Sequence, residues 1–428
     1  MPFPYYIYVI FYLIPLLCKF FFVPLYFERV SSLRYGLADA GKTTVMIEIR
    51  TISTPKEIGR FIDFRTELYK DDPYAVPYLF SDEKNTLLPG SNPAFDFCEA
   101  EYYMAFRDGR PVGRVAAIIN RHANEKWGRK NVRFGYFDFV DDMDVSAALI
   151  EKVREYGRRR GMDTIIGPMG FTDLDREGML VEGFDVMATM HANHNYAYYQ
   201  RHIEALGFTK DNDWVQQLVK VPEQVPEKFA KITSLIAKRY RIVPRKLTKR
   251  DLLKGGYGRR FFHILNECYK NLYEFSELSE AQIDKLIKEY LGMADLNLVT
   301  FIFDESVVSS DPTEQMVGFG VSFPSFSKAL RRTGNGKMLP FGWLHMLRTL
   351  LFHDTDTVDL LLIGVLPEYR AKGANALAFD DLIRWYHKYK FRYALTLAMM
   401  ETNDGVLSAW QHFDARTVKR LRSYKAAL

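Results

Sequence analysis

The chain has little cysteine: Cys18, Cys98 and Cys268 are its only three, and no two of them form a CxxC pair. This scarcity excludes a disulfide scaffold and a cysteine-rich zinc module, and it favours a reducing compartment. The chain also lacks a strong excess of one charge, since 58 Lys and Arg against 53 Asp and Glu leave a net charge of only +5. Nucleic acid is therefore not expected as a partner.

Apolar and aromatic residues are abundant. Hydrophobic residues make up 48% of the 428, and 32 Phe and 26 Tyr dominate the aromatic share. Such a composition is too apolar for a disordered chain, and the length predicts two or three domains, with two as the simplest number.

Residues 1–45 form an apolar leader unlike the rest of the chain. Its apolar stretch from Tyr5 to Phe27 contains one charged residue, Lys19, and two prolines, and it is long enough to cross a bilayer. Two interpretations stay open: a membrane segment whose following basic residues keep the remainder on the cytoplasmic side, or a non-native extension ahead of a start at Met46.

The leader also contains the phosphate-loop pattern GxxxxGK[ST] at 36–43. That loop binds phosphate at the N-terminus of a helix, whereas the β-branched sequence at 43–49 is typical of a strand. We therefore expect no nucleotide site there.

From residue 46 the chain repeats one order of elements: strand, helix, β-hairpin, strand, helix, strand. The first copy predicts strands at 102–107, 112–119, 132–139 and 164–167 and a helix at 145–160. The second predicts strands at 298–303, 316–323, 358–366 and 393–400 and a helix at 374–389, with 222–239 as a connecting helix. The pattern indicates an α/β fold with a mixed sheet, divided into domains 46–221 and 222–428.

The strand at 358–366 leads into a basic turn of small residues that opens the next helix. Backbone amides at a helix N-terminus favour an anion, and Arg370 and Lys372 add positive charge. At this point the sequence resembles the GNAT acyltransferases, whose signature is V-x-P-x-x-R-x-x-G-x-[GA]. Val365, Arg370 and Gly373 match it together with Pro367, while Asn375 departs from the last position.

The GNAT resemblance implies acyl-CoA as co-substrate, with its pyrophosphate on this turn and its thioester near backbone N–H groups of 364–366. The implied cofactor-binding residues are Gly364, Val365, Leu366, Arg370, Lys372, Gly373, Ala374, Asn375, Ala376, Asn403 and Trp410. In the family a Tyr follows the Asn by seven residues; Trp410 stands there, and an indole can donate a hydrogen bond but cannot act as a phenolic acid.

The corresponding turn of the first half is Asp141-Asp142-Met143-Asp144. Its carboxylates would repel a pyrophosphate, so we expect a single acyl-CoA site.

Between 167 and 199 the first half has a long segment of carboxylates, imidazoles and phenols around glycines, which we name the acceptor loop. It indicates either a site for a polar acceptor or an interdomain loop whose side chains cap helices. His191 and His194 lie almost a helical turn apart with no third ligand, so no metal is expected. The base candidates are Glu182, Asp185, His191 and, from the second half, Glu401.

A closer resemblance covers most of the chain from residue 46: it is similar to the two-domain GNAT-type proteins that include bacterial ceramide synthases. The matching segments are 72–77 (DPYAVP), 113–120 (GRVAAIIN), 134–137 (FGYF), 167–168 (GP), 183–185 (GFD) and 198–199 (YY). The resemblance implies an N-acyltransferase that moves an acyl group to an amine, with a sphingoid base as one acceptor. Departures fall in the acceptor loop, at Gly170 and at 187–189.

Other interpretations stay open. The basic segment 238–260 could bind the CoA 3′-phosphate or an anionic membrane, or it could be a solvated helix face. The aromatic residues at 323–326 and 340–343 could line an acyl channel or pack in the core. Two alternatives to the enzyme remain. One is a catalytically lapsed GNAT pair that senses acyl-CoA or lipid, and the other is a membrane scaffold, which depends on the leader. A cytoplasmic protein, in the enzyme case with peripheral contact to the inner face of the membrane, is expected.

Overall fold

The structure is a computed structural model that describes residues 46–428 except 226, 292–293, 404, 406, 408–409 and 412, with the backbone alone at 228–229 and 290–291. The predictions for the leader, including the membrane segment and the phosphate-loop pattern, lie outside the described residues. Residues 46–428 pack as one unit. No helix in the described part of the chain is long and apolar enough to cross a membrane.

The first half begins with a strand and a capped helix. Thr54 and Glu57 form a capping box in which each side chain accepts from the other's backbone N–H, and Pro55 occupies the first helical position. The elements of this half are β1 (Glu48–Ile52), α1 (Pro55–Leu68), α2 (Phe80–Leu87), β2 (Cys98–Arg107), β3 (Arg110–Asn120), α3 (Arg121–Trp127), β4 (Asn131–Phe139), α4 (Met143–Arg159), β5 (Thr164–Gly167), β6 (Met179–Glu182), α5 (Tyr198–Ala205) and β7 (Thr209–Lys220).

The second half repeats this order, and Thr248 and Asp251 form the same kind of capping box on its first short helix after the strand. Its elements are α6 (Glu227–Tyr240), β8 (Ile242–Arg245), α7 (Lys249–Lys254), α8 (Tyr257–Tyr269), α9 (Glu280–Leu286), β9 (Val299–Asp304), β10 (Met316–Pro324), α10 (Ser327–Thr333), α11 (Gly342–Phe352), β11 (Thr357–Val365), α12 (Pro367–Arg370), α13 (Asn375–Lys388), β12 (Tyr393–Thr396), β13 (Met399–Met400) and β14 (Ala415–Ala427).

The predicted α/β class with a mixed sheet is confirmed. One sheet runs in the order β1-β2-β3-β4-β5-β14-β7-β12-β11-β10-β9-β8, with antiparallel hairpins and two parallel pairs, β4 with β5 and β11 with β12. The helices pack on the two faces of this sheet. In the first half Val145, Leu149 and Val153 of α4 are buried against β3 and β4, and Gly113 on β3 leaves the space, since a Cβ there would lie 2.7 Å from Leu149.

The final strand of the chain lies inside the first half of the sheet. β14 pairs antiparallel with β7 over ten residues between Ala415 and Lys425, and its last four residues pair with β5. β7, in turn, pairs with β12 of the second half. Each half therefore supplies a strand that completes the other, a feature that the repeat pattern alone does not reveal.

Candidate active site

The strand β11 has an open edge at its carboxyl end. Its parallel pairing with β12 covers only Thr357–Leu360, and Leu361 is an extra residue that bulges out of the ladder with β10. After Thr396 the chain no longer pairs with β11. The next residues that pair in the sheet are Met399 and Met400 of β13, and their partner is β7, so β11 and the chain after β12 have separated. We name the space between the two unpaired strand ends the slot.

Backbone groups of β11 point into this slot. The Ile363 carbonyl accepts a hydrogen bond from the Tyr269 hydroxyl at 3.3 Å, and the Val365 carbonyl accepts from Arg370 Nε at 3.0 Å. Because the N–H and C=O of one residue in a strand point to the same edge, the N–H groups of Ile363 and Val365 face the slot as well. They are donors at the position where a thioester oxygen could be held.

The turn after β11 keeps the features of a phosphate site. Gly373 has φ +77°, which glycine adopts without strain, and no side chain caps the N-terminus of α13 at Ala374 and Asn375. The exposed Arg370 uses Nε and Nη2 on the carbonyls of Val365 and Cys268. Its other donors remain to meet an anion.

The equivalent turn of the first half is already satisfied. Asp142 Oδ1 accepts from the N–H groups of Asp144 and Val145, and Asp142 also forms an ion pair with Arg107. These contacts hold the pKa of Asp142 below its usual value, with the Arg107 hydrogen bond as the largest cause. A carboxylate thus occupies the helix N-terminus where a phosphate would bind.

The first half has a cavity at the corresponding place. β5 pairs with β4 only up to Arg133, and the cavity beyond is lined by the ion pair of Arg114 with Asp138, whose Oδ1 accepts from the Tyr69 hydroxyl at 3.1 Å. Tyr69 and Tyr199 share a hydrogen bond of 2.7 Å. Charged and phenolic side chains therefore line this cavity.

Two carboxyls of the acceptor loop are strongly perturbed. Burial raises the pKa of Asp173 to about 8, and burial followed by the charge of Asp173 raises the pKa of Glu177 well above its usual value. Among the described residues, Asp173 Oδ1 and Glu177 Oε1 are inaccessible to solvent and have no hydrogen-bond partner. Burial thus favours the protonated form of both carboxyls.

A buried ion pair fixes this part of the loop against the second half. Glu274 pairs with Arg133 at 2.9 Å, and both side chains are only 1% exposed; Arg129 and Asn131 complete the contacts of Glu274 at 2.7 and 3.1 Å. Arg133 also donates to the carbonyl of Phe171, just ahead of the two carboxyls. The position of the loop therefore depends on a residue of the other half.

We expect Glu274→Ala to destabilise the protein by about 3–5 kcal/mol, because it leaves the Arg133 guanidinium buried without its partner. Chemical unfolding measures this loss. The double variant Arg133→Met/Glu274→Leu removes both charges and should recover most of the stability. A Glu274→Ala protein as stable as the wild type would contradict the importance of the pair.

The perturbed carboxyls lie near the slot of β11. The charge of Asp173 contributes, after burial, to the raised pKa of Tyr269, and the Tyr269 hydroxyl is the group that donates to the Ile363 carbonyl. Asp173 therefore lies within electrostatic range of Tyr269, whose hydroxyl contacts the open edge of β11. This is where an acceptor and a thioester could be brought together.

The four base candidates named from the sequence lie elsewhere: Glu182, Asp185 and His191 on the acceptor loop, and Glu401 directly after β13. Arg420 binds Glu182 at 3.2 Å and Glu401 at 2.9 Å, so these two carboxylates meet but are engaged in ion pairs. Asp185 lies near Lys419, whose buried Nζ has no partner among the described residues and whose pKa burial lowers to about 8. His191 lies beside Arg176; burial and that charge lower its pKa to about 4.

Two of the predicted cofactor residues, Trp410 and Asn403, lie after β13. Trp410 is buried against Phe379, and its indole N–H donates to Met399 Sδ at 3.3 Å, so it serves as core. The Asn403 carbonyl accepts from Leu407 N–H at 3.0 Å and begins the segment before β14. No group of three His, Cys, Asp or Glu side chains that could hold a metal ion occurs in the described ranges.

The sequence pointed to the acceptor loop but not to Asp173 and Glu177 within it. No local sequence pattern marks these two carboxyls as buried, because charged groups around them come from distant parts of the chain: Arg133 and, for Glu177, Glu274 of the other half. Tyr269 was likewise not recognised; its signal is the contact with β11, which is distant in sequence.

Known proteins resemble this chain in sequence and in fold. No family model matches the chain. It is 28% identical over 393 residues to Protein YghO of Escherichia coli (strain K12), covering 88% of this chain and 94% of that one. It is 26% identical over 404 residues to a bacterial ceramide synthase of Caulobacter vibrioides (strain NA1000 / CB15N), covering 90% and 99% of the two chains.

Among solved structures, a tandem GNAT protein from the clavulanic acid biosynthesis pathway superposes with a TM-score of 0.50 at 12% identity, covering 89% of this chain and 98% of that one. The fold is therefore that of the tandem GNAT proteins. The resemblance to bacterial ceramide synthases inferred from the sequence is confirmed as well.

Proposed function

We propose that this protein is an N-acyltransferase that moves an acyl group from acyl-CoA to an amine, with an amino lipid such as a sphingoid base as acceptor. The observation that carries the proposal is the open edge of β11, whose Ile363 and Val365 face the slot while Tyr269 and the perturbed Asp173 lie beside it. Similarity to a protein named bacterial ceramide synthase supports the amine lipid.

In this reaction acyl-CoA lies in the slot with its pyrophosphate at the turn of Arg370 and Gly373. Asp142 occupies the helix N-terminus of the first half, so the second half is the half suited to the cofactor. One acyl-CoA per chain follows.

The carboxyl pair of Asp173 and Glu177 supplies the base. An aliphatic amine has a pKa of about 10.4 and reaches the site as an ammonium ion, which either carboxyl binds and deprotonates once it is ionised. The free amine then attacks the thioester carbonyl and forms the carbon–nitrogen bond, and the carbonyl oxygen is stabilised by the N–H groups of Ile363 and Val365. Collapse breaks the carbon–sulfur bond; the second proton of the attacking nitrogen passes to the leaving thiolate, and the proton on the carboxyl returns to solvent.

The acceptor loop also offers an apolar surface for a lipid chain. Met187 and Met190 are half-buried and pack with Phe326, Met338 and the α11 residue Met346 of the second half. Flexible thioether side chains adapt to long alkyl groups. A polar head at Asp173 and Glu177 with an alkyl chain along these methionines fits an amino lipid better than a small amine.

A second candidate is a lapsed GNAT pair that binds acyl-CoA without turnover. Trp410 favours it, because the position where the family carries a phenol holds a buried indole whose N–H is already used on Met399. Turnover separates the two functions.

The test is release of free CoA thiol from mixed acyl-CoAs by the purified protein, with a sphingoid base and with a short-chain amine as acceptors. The enzyme proposal expects thiol release that depends on acceptor and prefers the sphingoid base. Tight acyl-CoA binding without thiol release for any amine would support the sensor.

Arg370→Glu is expected to weaken acyl-CoA binding at least about tenfold, because a repelling charge replaces a phosphate partner. Isothermal calorimetry measures the affinity, and circular dichroism confirms the fold. Arg384→Glu, a matched exposed change further along α13, and Asp142→Ala in the first half should leave the affinity unchanged. Unchanged affinity of Arg370→Glu in a folded protein would put the cofactor elsewhere.

A further inference from the structure

The segment 327–352, which joins β10 to β11, exposes an unusual amount of apolar surface. Nearly all of α11 is apolar in sequence, yet only Gly342 and Thr349 of its residues are buried. Four large side chains of this segment are exposed: Leu339 (50%), Phe341 (68%), Leu344 (45%) and Phe352 (68%). The other exposed large apolar residues of the described chain are scattered, so this cluster requires an explanation.

The exposed residues share one side of α11. Phe341, Leu344, Arg348 and Phe352 follow each other at intervals of three or four residues, which places them on one helical stripe. Met346 lies on the opposite side, in the methionine cluster with Met338. We name the four apolar residues together with Arg348 the α11 face.

The charged side chains of the segment 327–352 are all positive. Residues 327–352 contain Lys328, Arg331, Arg332, Lys337 and Arg348 and no Asp or Glu. Asp354, Asp356 and Asp63 from outside the segment form ion pairs with four of these cations, and Arg348 nevertheless stays 66% exposed. The surface retains an excess of positive charge beside the apolar stripe.

The α11 face adjoins the acceptor loop. Beneath it, Met338 and Met346 pack with Leu330 and Phe326 and with Met187 and Met190 of the loop. A molecule that enters along α11 therefore meets the residues that we assign to the alkyl chain of the acceptor.

We propose that the α11 face lies on an anionic lipid bilayer, with Phe341, Leu344 and Phe352 among the lipid tails and Arg348 at the phosphates. A short helix with exposed aromatic and aliphatic residues and flanking cations binds in the plane of such a surface. A second copy of the chain fits less well, since a two-fold contact on this stripe would bring Arg348 against the Arg348 of its copy.

The basic segment 238–260 is a poorer membrane surface than its charge suggested. Arg245 pairs with Glu305, Lys246 with Asp381, and Arg259 with Glu280 and Asp284. These are three of its ten Lys and Arg, and Leu253 is the large apolar side chain that this segment exposes among the described residues.

The test is co-sedimentation of the full chain with vesicles of phosphatidylglycerol and phosphatidylcholine, without any acyl donor. Phe341→Ser/Phe352→Ser should bind vesicles at least about tenfold more weakly, because two large side chains no longer enter the bilayer. Arg348→Glu should lose affinity for anionic vesicles only. Val308→Ser and Leu253→Ser, which change exposed apolar residues elsewhere, should bind as the wild type does.

The leader is present in every variant, so wild-type binding by the α11 variants would assign membrane contact to the leader and overturn the proposal. A wild-type dimer in the absence of vesicles that Phe341→Ser/Phe352→Ser converts to a monomer would also overturn it, in favour of a self-contact. The proposal does not depend on acyl transfer: vesicle binding can fail while thiol release with a dissolved amine is retained, and the reverse outcome would reject only the proposed function.

Discussion

Asp173→Asn and Glu177→Gln are expected to lower turnover by about 10²–10⁴-fold with little change in acyl-CoA affinity. Each removes one of the two carboxyls that we assign to ammonium binding and proton transfer, and general-base catalysis contributes an effect of this size. Thiol-release kinetics measure turnover, and calorimetry measures acyl-CoA binding. Neither residue lies on the phosphate turn, so the cofactor should still bind.

The pH dependence gives a second signature of Asp173. With its pKa at about 8 in the fold, a base role requires activity to rise as pH increases through that value. The same raised pKa affects stability: the contribution of Asp173 is full below its ordinary pKa near 3.8 and is lost as pH rises towards 8. Asp173→Asn should therefore have an unfolding temperature that falls less between pH 4 and pH 8.

Matched changes in the same loop separate this assignment from the earlier one. Asp185→Asn and Glu182→Gln also neutralise carboxylates, but these lie by Lys419 and Arg420 and should retain most turnover. If Asp185→Asn and His191→Ala reduced turnover while Asp173→Asn did not, the base would be at the residues that the sequence favoured.

Local features of the site could be predicted from the sequence. Gly373, which the sequence places in the turn after the strand, has a positive φ there, with Arg370 and Lys372 close by; acyl-CoA binding at this turn stays a prediction. The unsuitability of the first-half turn followed in the same way from Asp142, which the structure shows capping α4. Both depend on neighbours in the chain, which a sequence displays directly.

Features set by distant contacts could not be predicted. Asp173 and Asp185 look equivalent in the acceptor loop, and it is burial, against the opposing charge of Arg133, that raises the pKa of Asp173. The aromatic run at 340–343 was expected to be core or channel, yet Phe341 is exposed, since no element covers that side of α11 among the described residues. The exchange of β7 and β14 was missed for the same reason.

That exchange predicts that neither half folds alone. Without β14, a fragment of residues 46–221 loses the strand between β5 and β7, and with it the buried Leu421 and Tyr424; the edges of the 12-residue β7 and the 4-residue β5 would then be open to aggregation. We expect this fragment, and the full chain truncated after residue 414, to be aggregated or unfolded by size-exclusion chromatography and circular dichroism.

Co-expression tests whether the missing strand is the cause. Fragments 46–221 and 222–428 made together should associate into a soluble complex, because β14 can then insert beside the ten residues of β7 that it pairs with. The complex should also regain acyl-CoA binding, since the second half needs β7 beside β12 to support the slot of β11. A 46–221 fragment that is monomeric and unfolds cooperatively on its own would mean that the first half is complete without the strand it borrows.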